Sequence, residues 1–175
     1  MKLKRERKTE RDKIISCIFG GMDIFWLDDA KVVSSDDKIA WKGGYFYLTD
    51  DKTGKIVTYP VLIKLSIPKD AYRTHYGNKD FEQYAKHRCS YAKVLGFYSY
   101  YTGKELTKYD NETAHTMFDC IPRYKKGLCV KPDEYTISNC VCGHGIHFFW
   151  SKTSAMLYLD GAINKSDLRR KNSYF

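Results

Sequence analysis

Trp41-Lys-Gly-Gly-Tyr-Phe-Tyr-Leu48, Thr49-Asp-Asp-Lys-Thr-Gly54 and Lys55-Ile-Val-Thr-Tyr59 read in order as a strand, a turn and a returning strand. The outer segments carry the aromatic and β-branched side chains that suit a pleated surface, and the middle one carries the Asp, Thr and Gly of a hairpin loop. A further strand follows at once. In Val61-Leu-Ile-Lys-Leu-Ser-Ile67 the residues Val61, Ile63, Leu65 and Ile67 lie on one face and Lys64 and Ser66 on the other, the period-two pattern of a half-buried strand. Pro68 ends it, because proline has no N–H for the ladder.

Working outward, Asn78 is placed to cap a short helix in which Phe81, Tyr84 and Ala85 share the core-facing side. Ala92-Lys-Val-Leu-Gly-Phe-Tyr-Ser-Tyr-Tyr101 is strand-like and turns at Thr102-Gly103. Residues 107–126 show no firm period, and residues 130–137 suit a loop around Pro132. Ile146-His-Phe-Phe-Trp150 is the last strand candidate, after which Ser151 supplies an N-cap for a helix to about Leu159 that Gly161 would stop. On the N-terminal side, the apolar residues 14–27 suggest a helix or strand packed on the body, hinged at Gly20-Gly21. The expected fold class is α+β: a mainly antiparallel, aromatic-rich sheet with two or three short helices. Fifteen tyrosines, nine phenylalanines and three tryptophans agree with that.

At 175 residues the chain has room for one domain with a real core. The net charge of +9 is concentrated at the two ends. Residues 1–13 hold seven Lys/Arg against three acids, and residues 164–175 hold four against one. Taking both ends from totals of 30 and 21 leaves 19 basic against 17 acidic side chains between them, a nearly neutral body. The expected organisation is a basic N-terminal arm over 1–13, one globular domain over 14–163 and a basic C-terminal tail over 164–175. Such ends suit solubility, and they also suit phosphate backbones, for which Lys4, Arg5, Arg7, Lys8, Arg169, Arg170 and Lys171 are the candidate contacts. No apolar run approaches the roughly 18–20 residues of a membrane span. The charged start Met-Lys-Leu-Lys-Arg-Glu-Arg-Lys has no apolar region of a secretory signal behind it. A cytoplasmic protein is the expectation, with no membrane partner and with its six cysteines reduced.

The residues with the most chemistry cluster late in the chain. Cys140-Val-Cys142-Gly-His144-Gly-Ile-His147 holds zinc-type donors, yet one residue between paired cysteines crowds a tetrahedron that usually takes two. Strand alternation would also send His147 away from Cys140 and Cys142 unless Gly143 and Gly145 bend the chain. The expectation is therefore no metal and no cofactor, with Cys140, Cys142, His144 and His147 as the weaker zinc alternative. The glycines are read as freeing the backbone for a turn or a close approach. His75 and His115, in polar surroundings, are read as solvated. Tyr72-Arg73, Tyr98 to Tyr101 and Arg123-Tyr124-Lys125-Lys126 interleave rings with cations, a pattern that stacks bases but also arises by chance in an aromatic sheet protein.

Three stretches carry a resemblance: Val61-Leu-Ile-Lys-Leu-Ser-Ile-Pro-Lys-Asp-Ala-Tyr-Arg73, His87-Arg-Cys-Ser-Tyr-Ala-Lys-Val-Leu95 with Thr102-Gly-Lys104, and Val130-Lys-Pro132 leading to Cys142-Gly-His-Gly-Ile-His-Phe-Phe149 and Ala155-Met-Leu-Tyr158. Their order resembles an uncharacterised domain family of large DNA viruses, phages and bacteria, often found beside pentapeptide repeats. This chain departs from that pattern in lacking the repeats and in its added N-terminal residues. The resemblance implies a viral accessory protein and carries no established activity with it; together with the near-neutral body and the missing catalytic set, it leads to the expectation of a non-enzymatic viral or phage accessory protein that binds a host macromolecule and interferes with host defence. Its partner would be a host or viral protein, met in the host cytoplasm.

A second, local resemblance places Gly143-His-Gly-Ile-His-Phe148, Ser151-Lys-Thr-Ser-Ala155 and Tyr158 beside the strand-plus-helix motif of poly-ADP-ribosyltransferase-type enzymes. It implies that Gly143, His144, Gly145, His147 and Tyr158 line a ligand site, with His147 and Tyr158 against the nicotinamide of NAD. No Glu follows Tyr158, so the acidic group that activates the acceptor in that family has no counterpart here. The sequence favours a protein without catalysis. An NAD- or nucleotide-binding relative is the alternative, and nucleic-acid binding through the arms is the second.

Overall fold

The structure is a computed structural model that describes residues 36–75, 79–116, 123–135 and 143–161. Strand β1 (Lys38–Thr49) and strand β2 (Ile56–Ile67) form a long antiparallel hairpin in which Lys38 faces Ile67 and Thr49 faces Ile56. Its loop is built as the Asp, Thr and Gly foretell. Asp50 Oδ1 accepts from the Lys52 and Thr53 amides and from the Thr53 hydroxyl, and Gly54 takes φ +65°. Those bonds hold the exposed Asp50 carboxyl below its ordinary pKa, the Thr53 hydroxyl being the largest influence.

The sequence suggests a break at Pro60, but β2 runs through it. The register explains why. Tyr45, opposite Pro60, turns its N–H and C=O outward to His115, so the ladder position of residue 60 points away from β1. On its other side β2 pairs with β4 (Ala92–Ser99) only from Val61↔Ser99 onward. The missing N–H therefore falls just past the end of a neighbour.

Helix α1 (Lys79–Tyr84) and strand β3 (His87–Cys89) precede β4, and β5 (Thr113–Ala114), β6 (Tyr124–Lys125), β7 (Cys129–Val130) and β8 (Ile146–Phe148) follow. The main sheet has the order β1-β2-β4-β7, while β3 pairs with β8 and β5 with β6. His115, directly after β5, exchanges two backbone bonds of 2.8 Å with Tyr45 on the outer edge of β1. A turn at Gly127 (φ +84°) joins β6 to β7. The backbone path thus runs β1-β2-β4-β7, along the chain to β6, across to β5, and back to β1. Trp41, farther along the same edge of β1, exchanges bonds of 2.7 and 2.8 Å with Phe149 and so ties β8 to β1.

The inner face carries the larger core, including Phe46, Val61, Ile63, Leu65, Ile67, Val94, Phe97, Tyr124, Ile146 and Phe148. Phe46 and Phe97 meet edge to face at 4.9 Å. The other face, expected to be polar, is also covered. Tyr45, Leu62, Phe149, Ala155 and Leu159 form a second cluster beneath helix α2, residues 152–161. Gly43 admits that helix, since a Cβ there would meet Leu159 Cβ at 3.0 Å. Ser151 caps α2 by accepting from the Ser154 amide at 3.3 Å, but the helix continues through Gly161 instead of stopping before it.

The result is a sheet-rich, antiparallel fold with few helices and an aromatic core, a description that α+β and mostly-β architectures both satisfy. Cys129 is an exposed free thiol. Among the described residues no helix is long and apolar enough to cross a membrane. The arms 1–13 and 164–175, the segment 14–27, Asn78, the Phe81 side chain, Cys140 and Cys142 lie outside what is described.

Candidate functional site

The candidate residues of the Gly143–His147 stretch lie on β8 and the turn that leads into it. β3 and β8 are only three residues each, with His87↔Phe148, Arg88↔His147 and Cys89↔Ile146 as their pairs. So short a ladder needs other bonds, and buried cations supply them. Arg88, fully buried, donates from Nη1 to the His144 carbonyl at 2.9 Å and lies 5.8 Å from the Tyr135 ring. Lys42, from the inner face of β1, donates from Nζ to the His147 carbonyl at 2.8 Å and sits 5.7 Å over Tyr124. The backbone of this stretch is what these groups grip.

Gly145 shows why a glycine is needed there. Its φ is +145°, and a Cβ would stand 3.0 Å from the Tyr135 ring and 3.2 Å from the Cys89 carbonyl. The close approach read from the sequence is thus with the protein's own ring and backbone. Burial raises the Tyr135 pKa, and the Arg88 charge opposes that rise. The His144 ring is 68% exposed and stands 3.8 Å from Glu134. Gly143 is partly exposed at the start of the turn. Tyr158 belongs elsewhere: from α2 its ring meets Phe149 at 5.3 Å, with Lys86 Nζ 5.7 Å above it. The structure therefore gathers Gly143, His144, Gly145 and His147 around Arg88, Lys42 and Tyr135, and sets Tyr158 in the second cluster. Among the described residues no three His, Cys, Asp or Glu side chains form a metal-sized group.

The aromatic–basic interleaving is likewise used within the fold. Lys152 Nζ lies 4.6 Å from the Tyr98 ring and 5.0 Å from the Trp41 ring while donating to the Gly103 carbonyl at 2.8 Å. Tyr72 stacks on Tyr135 at 6.3 Å.

A cleft of about 530 Å³ opens beside this region, lined by Asp37, Lys38, Ile39, Glu82, Gln83 and Trp150. His75, expected to be solvated, instead bonds from Nδ1 to Glu82 Oε1 at 2.7 Å. His115, also expected to be solvated, packs its ring 5.1 Å from Tyr47. His87 is buried, with Nε2 2.6 Å from the Glu82 carbonyl and Nδ1 3.2 Å from the Thr74 carbonyl and 3.5 Å from the Thr74 hydroxyl. Burial pushes its pKa below the ordinary histidine value, against smaller opposing effects of the Glu82 and Thr74 carbonyls. Trp150 is the hub: its ring centroid is 4.7 Å from Phe148, 5.5 Å from His87, 5.4 Å from the Arg73 guanidinium and 5.8 Å from Lys38 Nζ. Sequence reasoning missed this cleft because its lining comes from three separated segments, and no local spacing connects residues 37–39, 82–83 and 150.

A family model matches residues 29–155, most of the chain. The chain belongs to DUF5758, a family of unknown function. The DUF5758 match takes in β1 through β8 and the first turn of α2, so both the cleft and the β3–β8 pair lie within it. No curated protein and no solved structure matches the chain.

Proposed function

We propose that this DUF5758 protein works by binding, as a non-enzymatic accessory protein of a virus or phage that engages a host macromolecule, and that it does so with the outer end of the β1–β2 hairpin. The supporting observation is a concentration of solvent-facing apolar side chains there. Tyr47 is 56% exposed, Ile56 73% and Val57 44%, and Tyr101, 69% exposed, stands with its ring 5.8 Å from Tyr59 on the same strand. Cross-strand pairing puts Tyr47 and Ile56 on one face and Val57 and Tyr59 on the other, so the hairpin end offers apolar groups on both sides. Large exposed rings and aliphatic groups gathered in one place mark contact surfaces, and tyrosine is prominent among residues that dominate binding energy. The viral setting, and with it the host partner, rests on the sequence resemblance alone.

The test uses the full chain and the double variant I56D/V57D, compared by photo-crosslinking in host extract. The expected result is one reproducible crosslinked protein that the variant loses, while its melting temperature stays within about 2 °C because both positions face solvent. A crosslink retained by the variant would refute the hairpin surface, and no crosslink in repeated trials would refute the binding reading. NAD titration of the same protein separates the alternative: saturable heat at one NAD per chain would replace this proposal. Loss of a salt-sensitive DNA interaction on deleting residues 1–13 and 164–175 would support the arms instead.

A further inference from the structure

The end of the β1–β2 hairpin presents main chain as well as side chains. The outward bonds of Trp41 and Tyr45 set the phase of the ladder: Val57 and Tyr59 bond to β1, whereas Ile56, Thr58 and Pro60 turn their backbone groups to the opposite edge of β2. β4 covers that edge from Val61 onward but ends at Ser99, where the chain folds back and the Gly103 amide donates to the Ser99 carbonyl at 2.8 Å. Ile56 and Thr58 are left with two N–H donors and two carbonyls that meet no backbone partner among the described residues. Residues 55–58 are all exposed, so these groups face solvent. Sheets usually guard an open edge with charge, proline or a bulge. Here Lys55 and Pro60 stand at its two ends, and Ile56-Val-Thr-Tyr59 between them is uncharged and rich in strand-forming side chains.

We infer that Ile56–Thr58 takes an extended segment of the binding partner as an added strand, antiparallel to β2 along the line that β4 leaves at Ser99. This strand presupposes the hairpin surface proposed above and specifies the form its partner takes there. Any partner that covers the Ile56 and Val57 side chains also removes water from the four backbone groups beside them, and unpaired groups would then weaken the contact. Another strand's main chain supplies all four bonds in the geometry already present. Its residues opposite Ile56 and Thr58 would exchange those bonds, and the residue between them would lie on the Val57 side, near the Tyr59 and Tyr101 rings. An uncharged segment with an apolar residue opposite Val57 fits best.

The probe is the peptide acetyl-Lys-Thr-Val-Thr-Val-Thr-Val-Lys-amide, titrated into the ¹⁵N-labelled full chain, with the same peptide N-methylated at every Thr and Val as control. Saturable shifts confined to residues 55–59 and Tyr101 are expected, with a dissociation constant of about 1 mM and at least about tenfold weaker binding of the methylated peptide. In the free protein the Ile56 and Thr58 amides should exchange with solvent at least about tenfold faster than those of Val57 and Tyr59, and the peptide should slow them. Thr58→Pro deletes one outward N–H at a position that, like Pro60, owes none to β1, and it keeps the Ile56 and Val57 side chains; it should abolish peptide binding. If circular dichroism shows Thr58→Pro unfolded, the methylated peptide carries the comparison. No shifts at about 10 mM peptide, equal binding of the methylated peptide, or parent-like binding by folded Thr58→Pro would each overturn the added strand. In the host-extract experiment, a crosslink that I56D/V57D loses and folded Thr58→Pro keeps would overturn it too, while leaving the hairpin surface standing; loss in both variants supports it. A concentration-dependent dimer in sedimentation that Thr58→Pro abolishes would make the occupant a second copy of this chain and overturn the foreign strand.

Discussion

Gly44 is the position in β1 where one added methyl group should be felt most. A Cβ there would lie 2.8 Å from the carbonyl oxygen of His115 and 2.8 Å from Cδ1 of Ile63. Neither neighbour can retreat freely. The His115 oxygen accepts from the Tyr45 amide at 2.8 Å in the bridge that returns the backbone path to β1, and Ile63 is fully buried in the larger core. Overpacking of this kind costs about 1–3 kcal/mol, and each bridge bond that lengthens forfeits about 0.5–1.5 kcal/mol. Taking the packing cost with one weakened bond, Gly44→Ala should destabilise by about 3 kcal/mol.

With a urea slope of about 2 kcal/mol per molar, the unfolding midpoint should fall by about 1.5 M, followed in parallel by far-ultraviolet circular dichroism and tryptophan fluorescence. Gly96 in β4 is the matched control. A Cβ there would meet only Glu105 Oε1, at 3.2 Å, the far end of a flexible side chain. Removing a glycine from the unfolded chain is stabilising by about 0.4–1 kcal/mol, so Gly96→Ala should stay within about 1 kcal/mol of the parent. Equal losses in the two variants, or a Gly44→Ala midpoint shift under about 0.3 M, would refute the idea that the His115 bridge is a tight closure.

Two other outcomes follow from named groups. His87 is buried with its pKa depressed, so the folded protein favours the neutral ring: its contribution is full above the ordinary histidine value near pH 6.5 and is lost as pH falls below it, at up to about 1.4 kcal/mol per unit. Urea midpoints from pH 7.5 to 5 should show that decline, and His87→Phe should flatten it, an unchanged slope counting against the assignment. Chelator treatment of protein purified without a histidine tag should leave the melting temperature unchanged, since the His144 ring faces solvent beside Glu134; a fall of several degrees would reinstate the zinc quartet of Cys140, Cys142, His144 and His147.

What the sequence disclosed was whatever a few neighbouring residues decide. The hairpin, its Asp50-centred loop, the inner row Val61, Ile63, Leu65 and Ile67, the short helix after residue 78 and the Ser151 cap are all local, and each is present. What went unread depends on distant partners. Leu62 looks like the start of a solvent-facing row until α2 arrives from 90 residues later to cover it, and Pro60 looks like a break until Tyr45 is seen to bond outward to His115. His75 looks solvated because Glu82, its partner, is seven residues away at a spacing that no local period predicts. The cleft is the extreme case, since Trp150 and Lys38 share no local signal at all.

The late cluster invited a chemical interpretation because it holds imidazoles and glycines in front of a strand, yet the groups that act on it are cations from other strands. A three-residue ladder such as β3–β8 has few backbone bonds, and Lys42 and Arg88 add one each by donating to the carbonyls of His147 and His144. Charge-assisted bonds to main-chain oxygen are stronger than neutral ones, so cations suit this stapling, at the expense of burying them. Arg73 lies in the same unit, paired through its backbone with Cys89, and is buried to a similar degree. Its Nη1 nevertheless reaches no carbonyl, and its guanidinium faces Trp150 at the wall of the cleft. The two buried arginines, fifteen residues apart in the chain, thus serve the fold in different ways: Arg88 ties down the turn before β8 through the His144 carbonyl, and Arg73 sets its guanidinium against the Trp150 ring.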